Sequence, residues 1–404
     1  MALHFSCHAA ALNTHLHCKL NATVNKPHEK VRDLIIRSKV PSITTVPQKS
    51  LQKGNWVKLI CGASFEDVVD VRNLSLVYTL AGVDCIDCAA DLAVVNAVNE
   101  GIDAARTILP IRRPWVMISV NDDEDLHFRK AEFDPDDCPN DCSRPCEKIC
   151  PANAISFQDA FSSYKPGVIT ERCYGCGRCF PVCPYDKIKV HSYLRDAAAT
   201  SKLLERDDVD ALEIHTNGRQ TDSFKELWDG LGESVNHLRL VAVSLPYIGD
   251  STVSMMNKMY SILEQDLRCL NLWQLDGRPM SGDIGRGATR ESIAFALRLA
   301  STNNRPPGFL QLAGGTNAHT VDGLRKQNLF QTATVSESSR VSNSNALISG
   351  IAYGGYARKI VGRVLQSDSD SEGGVGEIES YPDHLLMAVI EALGLVGGVK
   401  SYNM

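Results

Sequence analysis

The chain has 404 residues, 44% of them apolar and 22% charged, with a formal net charge of −6. This is the composition of an ordinary globular protein with ample material for a large core, and its length implies several domains or one large barrel with insertions. The negative balance and the lack of a basic stripe exclude a general nucleic-acid footprint, and no apolar run reaches the roughly 18 residues that a membrane span needs.

Residues 1–28 contain no Asp or Glu, and up to Lys53 eight Lys or Arg stand against two acids, Glu29 and Asp33. An acid-poor leader with scattered hydroxyl side chains fits an organelle transit peptide. Residues 1–52 are therefore set aside as a transit peptide or disordered leader. From Trp56 a strand–helix rhythm begins. Strands are expected at Val57–Cys61, Val83–Asp87 and Trp115–Val120. Helices are expected at Ser64–Leu80, with Ser64 as N-cap, and at Leu92–Arg106. The rhythm stops at an acidic stretch (Asp122, Asp123, Glu124, Asp125, Asp134, Asp136, Asp137) and a cysteine-rich block. It resumes with strands at Ala211–His215, Leu238–Ser244, Cys269–Gln274, Phe309–Leu312 and Ala346–Ser349. Helices at Leu194–Glu205, Asp222–Leu231, Thr252–Gln265, Thr289–Ala300, Val321–Phe330 and Tyr356–Leu365 alternate with them. An acidic linker follows from 366, and a final apolar helix spans Leu385–Leu395.

Eight strands alternating with eight helices imply an α/β fold with a parallel sheet. The count and size fit a (βα)8 barrel of the TIM type, and an open doubly wound sheet is the alternative. Residues 53–127 and 194–366 would form the two parts of the barrel. Residues 128–193 would be an insert on its loop side, and residues 367–404 the linker and last helix.

Eight of the 14 cysteines lie between Cys138 and Cys183. Such crowding indicates metal or cluster ligation in a reducing compartment rather than a disulfide framework. Cys173, Cys176, Cys179 and Cys183 follow C-x2-C-x2-C-x3-C-P, the spacing of bacterial-type ferredoxins. Cys138, Cys142, Cys146 and Cys150 follow C-x3-C-x3-C-x3-C-P, a departure from that spacing. Both halves continue as Cys-Pro-x3-Ile, which suggests two related half-modules, with short strands at Ala154–Phe157 and Val168–Thr170 between them. The block resembles the two-cluster ferredoxins and implies an α+β module with two 4Fe–4S clusters. By position, that resemblance assigns Cys173, Cys176, Cys179 and Cys150 to one cluster. It assigns Cys138, Cys142, Cys146 and Cys183 to the other.

Other candidates are less specific. Cys85 and Cys88 form a lone C-x-x-C near Cys61, which reads either as a redox pair or as small buried side chains. Loops after the last two strands carry Gly314, Gly315, Gly354, Gly355 and Arg358, which suit a phosphate-bearing small molecule. The Gly- and Arg-rich loop Asp276–Gly287 would add to that rim. A flavin would fit it, although no residue identifies one. His215, Gln274 and Glu213 are isolated polar residues at strand ends, and no nucleophile–base set stands out, so the catalytic residues stay unknown.

The flanks, Cys61-Gly62-Ala63-Ser64-Phe65, Gly82-Val83-Asp84-Cys85-Ile86-Asp87-Cys88, Ala313-Gly314-Gly315-Thr316-Asn317 and Ser349-Gly350-Ile351-Ala352-Tyr353-Gly354-Gly355, resemble the light-dependent period protein A family of cyanobacteria and plant chloroplasts. The resemblance spans roughly residues 54–365. It implies an iron–sulfur protein that conveys redox state, as an input to the circadian clock in cyanobacteria. With a plastid-like leader it implies the chloroplast stroma, where that oscillator is absent. The expected function is electron transfer or redox sensing with a redox partner protein. Two rivals stay open: an oxidoreductase passing electrons to a flavin or substrate at the barrel mouth, and a regulatory adaptor with structural clusters.

Overall fold

The structure, a computed structural model, describes residues 26–40, 46–157, 166–277, 287, 289–330, 347–365 and 376–402. The chain opens with α1 (Lys26–Arg37), α2 (Pro47–Lys53), β1 (Trp56–Gly62), α3 (Val68–Leu80), β2 (Cys85–Ala89), α4 (Leu92–Ile108) and β3 (Trp115–Asn121). A cysteine-rich insert follows, with β4 (Arg129–Glu132), α5 (Pro145–Ile149), β5 (Ile155–Ser156), β6 (Gly167–Val168) and β7 (Lys189–Ser192). The chain then runs through α6 (Ala197–Leu204), β8 (Ala211–His215), α7 (Asp222–Leu231), β9 (Leu240–Pro246) and α8 (Thr252–Leu263). It ends with β10 (Leu270–Asp276), α9 (Thr289–Ala300), β11 (Phe309–Ala313), α10 (Thr320–Lys326), β12 (Gly350–Tyr353), α11 (Gly355–Leu365) and α12 (Pro382–Lys400).

Eight strands close a parallel barrel in the order β1-β12-β11-β10-β9-β8-β3-β2, so the open-sheet alternative does not hold. Period-two alternation sorts every strand into two faces. Val57, Leu59, Val116, Ile118, Leu212, Ile214, Val241 and Val243 point out to the helix layer. Trp56, Cys85, Trp115, Met117, Ala211, Leu240, Ala242 and Leu272 fill the N-terminal end of the barrel. There Trp56 and Trp115 meet edge to face at 5.6 Å.

Several boundaries differ from the sequence reading, and three of them bear on the site. The fold begins before residue 53: Val31 and Ile35 of α1 and Leu51 of α2 are fully buried, with Leu51 closing the apolar end of the barrel. The last barrel strand lies at Gly350–Tyr353 rather than Ala346–Ser349. Its Gly350 looks like a loop residue, but a Cβ there would come within 2.2 Å of the Trp56 carbonyl oxygen. Helix α3 starts at Val68, capped by Asp67, whose side chain accepts from the Asp70 N–H at 3.1 Å. Ser64 instead donates to the His127 carbonyl at 2.5 Å. The acidic linker and most of the Asp276–Gly287 loop lie outside the described residues.

Helix α12 is long and apolar enough to cross a membrane by length and composition alone, yet half of it is buried inside the protein. Leu385, Ala388, Val389, Leu393 and Val396 belong to the main core, and the helix packs on α11, α3 and α1.

Candidate functional site

The insert leaves the barrel at the C-terminal end of β3, where its entering and leaving strands, β4 and β7, pair antiparallel from Arg129–Ser192 to Glu132–Lys189. The loop after β1 fastens it. Lys130 Nζ donates to the Ser64 carbonyl at 2.5 Å and pairs with Glu66 at 3.2 Å, and Arg172 pairs with Asp67 at 2.9 Å. These half-buried ion pairs bind the insert to the barrel at several points, which fixes its orientation more firmly than a single exposed pair would.

Inside the insert the eight cysteines separate into two neighbourhoods. Cys150, Cys173, Cys176 and Cys179 line one cavity. Burial and the adjacent thiols of Cys176, Cys173 and Cys150 push Cys179 up to about 12. Cys138 is raised by burial and by neighbouring Cys142 and Cys183, and Cys146 by burial, with Cys183 and Cys138 beside it. Backbone N–H groups point at the sulfurs: Ala131 to Cys173 at 3.4 Å, Ala154 to Cys150 at 3.2 Å and Lys187 to Cys183 at 3.4 Å. At Cys183, burial is outweighed by the amides of Lys187, Tyr185, Ile188 and Asp186, which hold the thiol below its usual range.

The donor set fits a multi-atom cluster. One tetrahedral zinc would hold its sulfurs about 2.3 Å from the metal and hence about 3.8 Å apart. Among the described residues, the group of three or more ligand atoms close enough to share one ion is Asp125, His127 and His215, with no cysteine in it. The tight path between ligands depends on Gly175 and Gly177, both at φ +71. A Cβ on Gly175 would come within 2.3 Å of the Arg129 carbonyl oxygen, and one on Gly177 within 2.6 Å of the Arg129 guanidinium.

Above its apolar end, the barrel interior turns polar. Lys58, fully buried, pairs with Glu213 and lies 3.5 Å from Asp87. Ser119 donates to Asp87 at 2.7 Å, Gln274 to Glu213 at 2.5 Å and Gln311 to Gln274 at 2.6 Å. Burial lowers Lys58, but Glu213 and Asp87 more than offset it, and the net shift is upward. Burial lifts Asp87 to about 6 against the pull of Lys58. Glu213, despite its burial, is held at about 2 by Lys58 and His215.

One layer higher, His215 Nε2 lies 3.0 Å from Glu213 and His127 Nε2 3.3 Å from Asp276. Asp125 Oδ1 is 2.7 Å from His127 Nδ1. His127 is raised to about 9: burial opposes this, and Asp125 and then Asp276 outweigh it. Over this layer opens a pocket walled by Asp87, His127, His215, Gln274 and Asp276 on the barrel side and by Tyr174, Cys176 and Arg178 of the insert.

All five rim residues foreseen from sequence, Gly314, Gly315, Gly354, Gly355 and Arg358, line this pocket. Arg358 is engaged there: its Nη1 donates to the carbonyls of Ile60 (3.1 Å) and Cys61 (2.6 Å), and its guanidinium stacks 4.4 Å from the Tyr174 ring. The Cys85/Cys88 pair does not come together as a site. Three residues apart on a strand, the two side chains take opposite faces, Cys85 in the barrel interior and Cys88 in the helix-facing core. Burial raises both thiols well above the usual range. The acidic stretch also divides. Asp122 is buried and Asp125 faces the mouth, while Asp134, Asp136 and Asp137 stay exposed beside Cys138.

Sequence reasoning missed Lys58, Asp87 and His127, named Asp276 only as the start of the Gly- and Arg-rich loop, and treated Glu213, His215 and Gln274 as unrelated. A signal was there: Lys58 interrupts the apolar run Val57-Lys58-Leu59, and each of these strand residues falls on the inward register.

Residues 138–194 match the family described as the LdpA Fe-S cluster-binding domain, and residues 203–398 match the Light dependent period A C-terminal domain. Together with the cysteine geometry, this defines an iron–sulfur cluster-binding protein built on a closed α/β barrel. The curated protein "Light dependent period A" of Synechococcus elongatus is 41% identical over 361 residues, which cover 88% of this chain and 94% of that protein. The chain belongs to the Light dependent period A family.

Proposed function

We propose that this chain is an electron-transfer or redox-sensing protein of the chloroplast stroma with two 4Fe–4S clusters in a ferredoxin-like insert on a TIM-type barrel. Cys150, Cys173, Cys176 and Cys179 hold the inner cluster, and Cys138, Cys142, Cys146 and Cys183 the outer one. The observation that carries this is the division of eight thiols into two sets of four, with backbone amides aimed at the sulfurs. When bound, such clusters supply one-electron chemistry. The amides of Ala131, Ala154 and Lys187 stabilise the reduced, more negative state by donating to sulfur. The outer set lies near the surface beside Asp134, Asp136 and Asp137, which suits docking of a basic redox partner. The stromal location rests on the acid-poor leader.

The mouth pocket favours a second reading, an oxidoreductase. Cys176 lines both the inner cavity and that pocket, so an electron at the inner set stands beside any small molecule held by the glycine rim.

Anaerobically purified full-length protein should contain about eight irons and eight sulfides per chain and bleach with dithionite. Cys173→Ser and Cys142→Ser should each remove about half of both. Colourless protein, zinc in place of iron, or two variants with full iron would refute the assignment. A yellow chromophore released on denaturation would establish the flavin-dependent form of the second reading.

A further inference from the structure

We infer that the barrel mouth holds a metal centre separate from the cysteines: a single divalent transition ion, of the zinc or ferrous type, bound by Asp125, His127 and His215. Among the described residues this is the trio of His, Cys or carboxylate groups whose ligand atoms all lie within 4.8 Å of one another. His215 stands at the end of β8, and Asp125 and His127 come from the loop between β3 and β4, so the chain converges on this point from two places. The imidazole rings lie 4.8 Å apart, centroid to centroid.

The orientation of the two rings separates this from a chance polar contact. Each histidine turns Nε2 to a carboxylate, His215 to Glu213 at 3.0 Å and His127 to Asp276 at 3.3 Å. Both Nδ1 atoms are left facing Asp125 Oδ1, at 2.7 Å from His127 and 4.0 Å from His215. A carboxylate on the far nitrogen is how proteins fix the tautomer of a metal-bound histidine and raise its basicity. Glu213 is itself held in place by Lys58 and Gln274. Asp276 keeps a second buried oxygen, Oδ1, without a hydrogen-bond partner among the described residues.

Two histidines and one carboxylate suit zinc and ferrous iron. Three protein ligands leave at least one position open, as in catalytic rather than structural sites. The open side has access from two directions: the mouth pocket, which His127 and His215 line together with Cys176, and an outer cleft lined by Asp125, His215, Thr216 and Asn217. An ion here would give the pocket a Lewis-acidic floor for an anionic or carbonyl-bearing molecule.

The test uses full-length, cluster-loaded protein kept anaerobic, washed with chelator and dialysed against zinc chloride, with zinc, iron and sulfide counted on the same sample. About one zinc per chain should be retained with iron and sulfide unchanged. Asp125→Asn, His127→Gln and His215→Gln should each abolish retention at micromolar zinc, and Asp276→Asn should weaken it by about 10–100-fold. Wild-type protein that retains no zinc after this treatment, or the three ligand variants binding zinc as wild type does, would overturn the proposal. If His215→Gln fails to fold, the partly exposed His127 and Asp125 decide the matter. Iron and sulfide report on the cysteine assignment separately, so either reading can fail alone.

Discussion

Replacing Lys58 with methionine tests whether the charged layer holds the barrel together. Lys58 is fully buried and faces Glu213 and Asp87, themselves buried. Lys58→Met keeps the volume and removes the ammonium. Glu213 would keep Gln274 and His215 (2.5 and 3.0 Å), and Asp87 would keep Ser119 at 2.7 Å, but an uncompensated negative charge would remain in the interior. Removing one partner of a buried pair costs about 3–5 kcal/mol. For 404 residues, at about 2.1 cal/mol/K each, the unfolding entropy is roughly 0.85 kcal/mol/K, so Tm should fall by about 4–6 °C. The pH dependence has a definite sign. Asp87 is already lifted to about 6 by burial, and losing Lys58 raises it further. The folded variant then takes up a proton more readily than the unfolded chain, so its deficit should be largest near pH 8 and shrink towards pH 5. Far-UV circular dichroism melts under anaerobic conditions at both pH values measure this. A variant that melts within 1 °C of wild type at pH 8, or suffers more at pH 5, would refute the reasoning. Lys58→Met/Glu213→Gln should recover part of the loss, because the stranded charge is removed with its partner.

Gly175→Ala should lower the iron content of anaerobically purified protein by about half, because its Cβ collides with the Arg129 backbone at 2.3 Å. Gly177→Ala should do much less harm: it shares a strained positive φ worth about 1 kcal/mol, but it meets only the movable end of the Arg129 side chain. Equal iron in the two variants would count against this view of the ligand loop. Lys400, its side chain buried beside Asp84, is lowered to about 8, first by burial and then by Arg112, with Asp84 opposing. The folded protein therefore releases that proton before the unfolded chain does, and wild-type stability should rise relative to Lys400→Met by about 1–3 kcal/mol between pH 8 and 10. Parallel Tm-against-pH curves for the two proteins would show that Lys400 does not titrate this way.

The cysteine ligand pattern and the barrel rhythm were legible in the sequence because both are local. An iron–sulfur-binding motif is written in cysteine spacings of two or three residues, and a strand or helix declares itself through periods of 2 and 3.6. Thus Ala211–His215 and Asp222–Leu231 lie where the pattern puts them. The same locality misled at Gly350, whose residue type says loop while its place against Trp56 demands the smallest side chain, and at Ser64, which looks like a cap and serves the insert. It misled again at Cys85 and Cys88, since a short motif does not say which face of a strand each side chain takes.

By itself, then, the chain's order of residues determined an α/β fold of eight units, a cysteine-rich insert after the third strand, and which positions bear sulfur. Only the closed tertiary structure decided that Lys58, Asp87, Glu213 and Gln274 share one interior. It also brought Asp125 and His127 to His215, and set Cys176 over the same pocket as the glycine rim. The physical reason is that barrel closure joins residues hundreds of positions apart through inward register and strand order. No short-range periodicity records which inward-facing polar residues will meet.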